Sequence, residues 1–165
     1  MSALDGSSAF ISRAEDRRKL LWIGRTVFDV ILGADDTAGA VSLLDQSGRR
    51  GDVTPMHVHN REAEIFYVLE GGVTAWFRDA VHQLDAGGAI YLPPGQPHAF
   101  GIRTETARLI SVTAPGGFDS FVRAAGMPAA EASPSVWEFD VGRVMQAAPD
   151  HGITIVGPPP ALPDG

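Results

Sequence analysis

Between Thr26 and Thr113 turn residues cut the chain into short apolar runs, and that spacing limits the folds open to it more than any other feature. The strand-like runs are Thr26 to Leu32, Ala40 to Asp45, Val53 to His59, Glu64 to Leu69, Val73 to Arg78, Val81 to Leu84, Ala89 to Leu92 and Arg108 to Thr113. Turn signals stand between them, as in Gly33-Ala34-Asp35-Asp36, Gln46-Ser47-Gly48, Gly71-Gly72 and Gly87-Gly88. Many short strands joined by tight turns imply an all-β sandwich or barrel.

Two later segments change period. Phe118, Phe121, Val122 and Ala125 recur at helical spacing before a stop at Gly126. A second helix is expected over Val141, Val144, Met145 and Ala148, capped by Asp140 and ended by Pro149. Ile153 to Val156 reads as a last strand before Pro158-Pro159-Pro160. The expected organisation is an N-terminal arm over 1–20, loose or partly helical, one domain over 21–160 and a tail over 161–165.

A chain of 165 residues with 44% hydrophobic and 20% charged residues fits one soluble domain with its own core. The net charge of −7 argues against a surface built to hold nucleic-acid phosphates. Without cysteine there are no disulfides, thiolate ligands or cysteine nucleophiles. No secretory leader or membrane-length apolar segment is visible, so a cytoplasmic protein that binds no membrane is expected.

The chemistry concentrates in His57-Val58-His59, Glu64 and His98. Alternation along a strand points His57 and His59 the same way, about 6.6 Å apart, with room for a metal between them. Glu64 lies an odd number of residues past His59, so it can join the pair only if the chain bends at Asn60-Arg61-Glu62-Ala63 and a new strand starts there. Three imidazoles and a carboxylate suit one divalent transition metal, with Fe, Mn, Co, Ni, Cu and Zn all open. His82, at a hairpin, and His151, near a helix end, are read as solvated. By parity Phe66 follows Glu64 and Phe100 follows His98 onto the same face. With Met56, Phe118 and Phe121 they are the candidate substrate-pocket residues, although aromatics in small barrels also serve as packing. The Phe118 to Ala125 helix is a candidate lid, or else packs on the outside of a sheet.

The spacing of these residues with Gly51, Gly71, Gly87, Pro93 and Gly95 resembles the two signature motifs of the cupin superfamily. Ile102 departs from the pattern, standing where many members have a turn-stabilising asparagine. Beyond the motifs, Thr26 to Pro160 is similar to single-domain cupins related to bacterial quercetin dioxygenases, through Glu64-x-Phe66-Tyr67-Val68-Leu69-Glu70-Gly71, Pro97-His98-Ala99-Phe100, Pro115-Gly116-Gly117-Phe118 and Gly152-Ile153-x-Ile155-Val156-Gly157. The resemblance implies a double-stranded β-helix (jelly roll) with short flanking helices, a C-terminal helix and a terminal strand. It also implies a metal site of His57, His59, Glu64 and His98, with Glu64 catalytic as ligand and proton acceptor by turns. A dioxygenase acting with dioxygen on a flat phenolic or enolic small molecule follows. The alternatives are a non-oxidative isomerase, cyclase or lyase of secondary metabolism, and a free-standing ligand sensor. A homodimer formed through sheet edges or the N-terminal arm is expected as well.

Overall fold

The computed structural model describes residues 9–22, 24–129 and 141–163. Its strands are β1 (Lys19–Leu21), β2 (Val27–Leu32), β3 (Ser42–Arg49), β4 (Met56–His59), β5 (Ala63–Glu70), β6 (Gly72–Phe77), β7 (Ala80–Asp85), β8 (Ala89–Leu92), β9 (His98–Ile102), β10 (Thr106–Ala114), β11 (Met127–Pro128) and β12 (Ile153–Gly157). The helices are α1 (Phe118–Ala125) and α2 (Val141–Ala147), with short 3₁₀ turns at Ala14–Asp16, Ala34–Thr37 and Pro149–His151. Asp140, the expected cap of α2, lies outside the described residues.

Two antiparallel sheets form a jelly roll. One runs β11-β1-β2-β3-β10-β5-β8 and the other β12-β4-β9-β6-β7. Strict alternation in the long strands decides which side chains enter. Glu64, Phe66 and Val68 of β5 are buried while Ile65 and Tyr67 are exposed. In β10 the inward set is Ala107, Leu109, Ser111 and Thr113. One core cluster joins Trp22, Phe28 and Leu44 to Phe118, Phe121 and Val122 of α1 and to Val144 of α2. The other gathers Phe66, Val68, Phe100, Ile102 and Leu109. Ile102 is 1% exposed there, so an aliphatic side chain fills the place where an amide would need partners.

Gln46-Ser47-Gly48 does not turn. β3 continues through it to Arg49, paired with both β2 and β10. The expected run from Val53 enters the sheet only at Met56, because Pro55 has no N–H for the ladder, and Val53 makes an isolated bridge to Gly101 instead. β1, β9 and β11 carry no period-2 pattern that would announce them. β9 is buried along its whole length, since the Val53 side chain covers Gly101 on the outer face. Lys19 and Leu20, assigned to the arm from sequence, belong to β1. Among the described residues no helix is long and apolar enough to cross a membrane.

Candidate metal centre

The chain crosses from one sheet to the other between β4 and β5, and this crossing resets the parity of Glu64. His57 and His59 point inward from β4, and Glu64 points inward from β5, set between Thr113 of β10 and Leu92 of β8. His98 opens β9 directly opposite His57, which brings the two rings to 4.3 Å between centroids. The turn before β9 is tied to β4 by the Gly95 N–H, which donates to the His59 carbonyl at 2.9 Å. At the far end of β5, Gly71 has φ 72°, and a Cβ there would meet the Thr106 carbonyl oxygen at 2.2 Å. Only glycine lets the chain turn there while lying that close to β10.

One ligating atom from each of His57, His59, Glu64 and His98 lies within 4.8 Å of all the others. All four side chains sit inside the barrel, and His59, Glu64 and His98 are each 2% exposed. Each imidazole is oriented through Nδ1. That of His57 donates to the Pro55 carbonyl at 2.8 Å and that of His98 to the Gln96 carbonyl at 2.8 Å. The Nδ1 of His59 donates to the Glu62 carboxylate at 2.9 Å. With Nδ1 carrying the proton, Nε2 presents a lone pair to the centre of the cluster.

Those lone pairs face a carboxylate. Nε2 of His98 is 3.1 Å from Oε2 of Glu64, and Nε2 of His59 is 3.5 Å from the same oxygen. Nε2 of His59 is buried without a hydrogen-bond partner among the described residues. Acceptors this close repel unless a cation or a proton lies between them, so the donor set fits a divalent transition metal.

Titration reflects the same crowding. Burial, with the charges of His98 and His59, lowers His57 to about 3 and keeps it neutral. Burial works against ionised Glu64, but the neighbouring His59, His98 and His57 rings outweigh it and bring the carboxyl to about 2. His59 is raised above its ordinary value. Burial opposes this, and Glu64 and Glu62 overcome it.

Residues 49–113 match the family described as the Cupin domain. The chain carries a cupin domain. It is 27% identical over 124 residues to quercetin 2,3-dioxygenase of Bacillus subtilis (strain 168), an alignment covering 75% of this chain and 36% of that protein. The chain thus spans about a third of the length of that curated relative. Among solved structures, KdgF from Halomonas sp. superposes with TM-score 0.61 at 16% identity over 68% of this chain and 99% of that one. An RmlC-like cupin from Shewanella frigidimarina NCIMB 400 gives 0.57 at 21% identity over 68% and 96%. Pac13 of Streptomyces, described as a nucleoside dehydratase, gives 0.53 at 18% identity over 66% and 83%.

Beside the cluster this cupin has a cavity of about 30 Å³. His57 and Glu64 form part of its wall, with Phe100, Phe118 and Phe121 around them. α1 therefore closes the cavity rather than packing on the outside of a sheet, and Phe118 stands 5.4 Å from the His59 ring. Met56 and Phe66 are not on this wall. Met56 neighbours His57 on a strand, so it faces the other way and packs against Gly157. Phe66 shares the Glu64 face but lies further along β5, behind Phe100 at 4.7 Å, where it fills the second core cluster. His82 stacks on Phe77 at 4.2 Å, and His151 lies beside Phe121 with its Nδ1 at 2.9 Å from the Ala147 carbonyl.

Two polar residues at the site escaped the sequence reading. Glu62 counted only as part of a polar bend, yet it is 8% exposed and holds His59. Its spacing of three from a candidate ligand was the available signal. Gln46 counted as a turn residue but lies mid-strand on the cavity wall, and its signal was the alternation of Ser42, Leu44, Gln46 and Gly48.

Proposed function

We propose that this cupin is a metal-dependent dioxygenase acting on a flat phenolic or enolic aromatic compound. The observation that carries the reading is a buried three-histidine, one-carboxylate cluster opening onto a cavity walled by Trp22, Phe28, Phe100, Phe118 and Phe121. The sequence likeness to a quercetin 2,3-dioxygenase supports it. His57, His59, Glu64 and His98 would hold the ion, which when bound supplies Lewis acidity that polarises a phenolic or enolic oxygen.

The remaining work falls to side chains. Glu64 is ionised across the neutral range and takes the substrate proton, leaving an electron-rich anion beside the cluster. Glu62 keeps the His59 ring turned toward the centre. The aromatic walls stack on a planar ring and exclude water that would quench the anion. A cavity of about 30 Å³ holds dioxygen or one or two waters. A ring compound enters only when α1 and α2 move outward with Phe118, Phe121 and Val144.

The test is dioxygen uptake with flavonols by protein loaded separately with iron, manganese, cobalt and nickel. Uptake with at least one ion is expected, and Glu64→Gln should lower it by about 10²- to 10⁴-fold, the usual contribution of a positioned base. No uptake with any ion overturns the dioxygenase reading. Turnover of an enolisable substrate under strict anaerobiosis would establish the non-oxidative use of the same base.

A further inference from the structure

Gln46 is 3% exposed and lines the cavity, yet its carboxamide makes no hydrogen bond to any described residue. The sheet explains why. Across β2 its neighbour is Phe28 and across β10 it is Leu109, at 1% and 0% exposed. Along the inward face of β3 it stands between Leu44 and Gly48, so none of the four side-chain positions directly beside it on the sheet offers a donor or acceptor. An amide with no protein partner there depends on the occupant of the cavity for its hydrogen bonds, and an apolar side chain of similar size would need none.

Three of the other polar side chains on this wall are already engaged. His57 and Glu64 belong to the metal cluster. The Thr54 hydroxyl accepts from the Phe100 N–H at 3.1 Å and lies 3.4 Å from the Phe100 carbonyl. The Trp22 indole N–H on this wall can only donate, so among the described residues away from the cluster Gln46 is the side chain there with both a donor and an acceptor unspent, and the surfaces around it are aromatic.

We propose that Gln46 is a specificity-determining residue, whose carboxamide hydrogen-bonds an oxygen substituent on the ring system of the substrate away from the oxygen held at the cluster. The preferred substrate class is then a planar aromatic compound with at least two oxygens, one at the metal end and one at the Gln46 end. A carboxamide both donates and accepts, so a hydroxyl or a carbonyl satisfies it, whereas a charged group does not suit the aromatic surroundings. This inference rests on the reading of the cavity as a substrate site.

The test is calorimetric binding to cobalt-loaded protein under anaerobiosis, so that nothing turns over. It uses two ligand pairs that differ in oxygen substituents away from the metal-bound one, quercetin against 3-hydroxyflavone and hydroquinone against phenol. Wild type is compared with Gln46→Met and Gln46→Leu. Both variants are expected to melt at or above the wild-type temperature, and either one suffices if the other does not fold. Expected is a loss of about five- to tenfold in affinity for the more oxygenated member, with its partner unchanged. If neither flavonol binds wild type but hydroquinone outbinds phenol and the variants erase that preference, the flavonol reading falls and the role of Gln46 stands. Equal effects on both members of each pair, no effect, or no binding of any of the four ligands overturns the role. Gln46 would then be an amide hydrated by a cavity water.

Discussion

Glu62→Gln isolates how the fold tunes a metal ligand from outside the ligand set. The Glu62 carboxylate accepts the Nδ1 proton of His59 at 2.9 Å in a nearly closed environment, so the bond is charge-assisted and little screened. A glutamine keeps a carbonyl acceptor and the ring orientation but removes the charge that makes Nε2 a stronger donor. Loss of a carboxylate behind a metal-bound imidazole costs about 10- to 100-fold in metal affinity, or about 1.4–2.8 kcal/mol. Glu62→Gln should lie near tenfold at pH 8. Glu62→Ala, which leaves Nδ1–H buried and unpaired, should lie near a hundredfold. The pH dependence is the sharper test. Glu62 is among the groups that raise His59, so the variant binds a proton at His59 less tightly. Below the wild-type His59 pKa, metal must displace that proton, and wild type loses about tenfold in affinity per pH unit. The variant begins to lose affinity only at lower pH. The gap between the two proteins must therefore narrow as the pH falls from 8 toward 5.5, as read by chelator competition with cobalt and zinc. A constant gap, or one that widens toward acid, refutes the link from Glu62 through His59 to the metal.

In metal-free protein, His57 is depressed to about 3, so the unfolded chain binds a proton there that the folded chain refuses. Folding stability should fall as pH drops from about 6.5 toward 3, by on the order of 4 kcal/mol from this group; urea titrations across that range that show no decline contradict it. His59 has the opposite sign, so the stabilisation it gives is present below its unfolded pKa and fades as pH rises through its raised folded value. Asp119→Ala should destabilise by about 3 kcal/mol in calorimetry, because it strands the Ser42 hydroxyl and the Ala34 N–H that Asp119 accepts at 2.6 and 3.0 Å; a loss under 1 kcal/mol would show that α1 is not anchored through this carboxylate. Light scattering is expected to give a homodimer that Tyr91→Asp weakens, since Tyr91 is 62% exposed on the edge strand β8 beside exposed Ile65 and Tyr67. A monomeric wild type at micromolar concentration sinks that expectation.

Strand positions were legible wherever one face is buried and the other wet, as in β5, whose alternation was visible from Glu64 to Leu69. They were not legible in β9, which is buried throughout, or in β3, where the glycine and serine beside Gln46 imitate a turn. Parity points Phe66 of β5 and Phe100 of β9 into the barrel from its two sheets, but it gives a direction and not a depth, and the two do not line one cavity. Depth along the barrel decided that Phe100 reaches the cavity while Phe66 fills the core behind it.

By itself, the sequence determined the class of fold and the identity of the clustered residues, because period-2 alternation, turn chemistry and motif spacing are local and survive in one dimension. Only the tertiary structure decided what those residues meet. The register that sets His98 opposite His57 joins strands distant in sequence. The crossing between sheets turns Glu64 onto the histidines, and the packing of α1 shuts Phe118 and Phe121 over them. Glu62 and Gln46 take their roles from burial, the one against His59 and the other against an aromatic wall. Burial is a property of the assembled chain, and no spacing rule carries it.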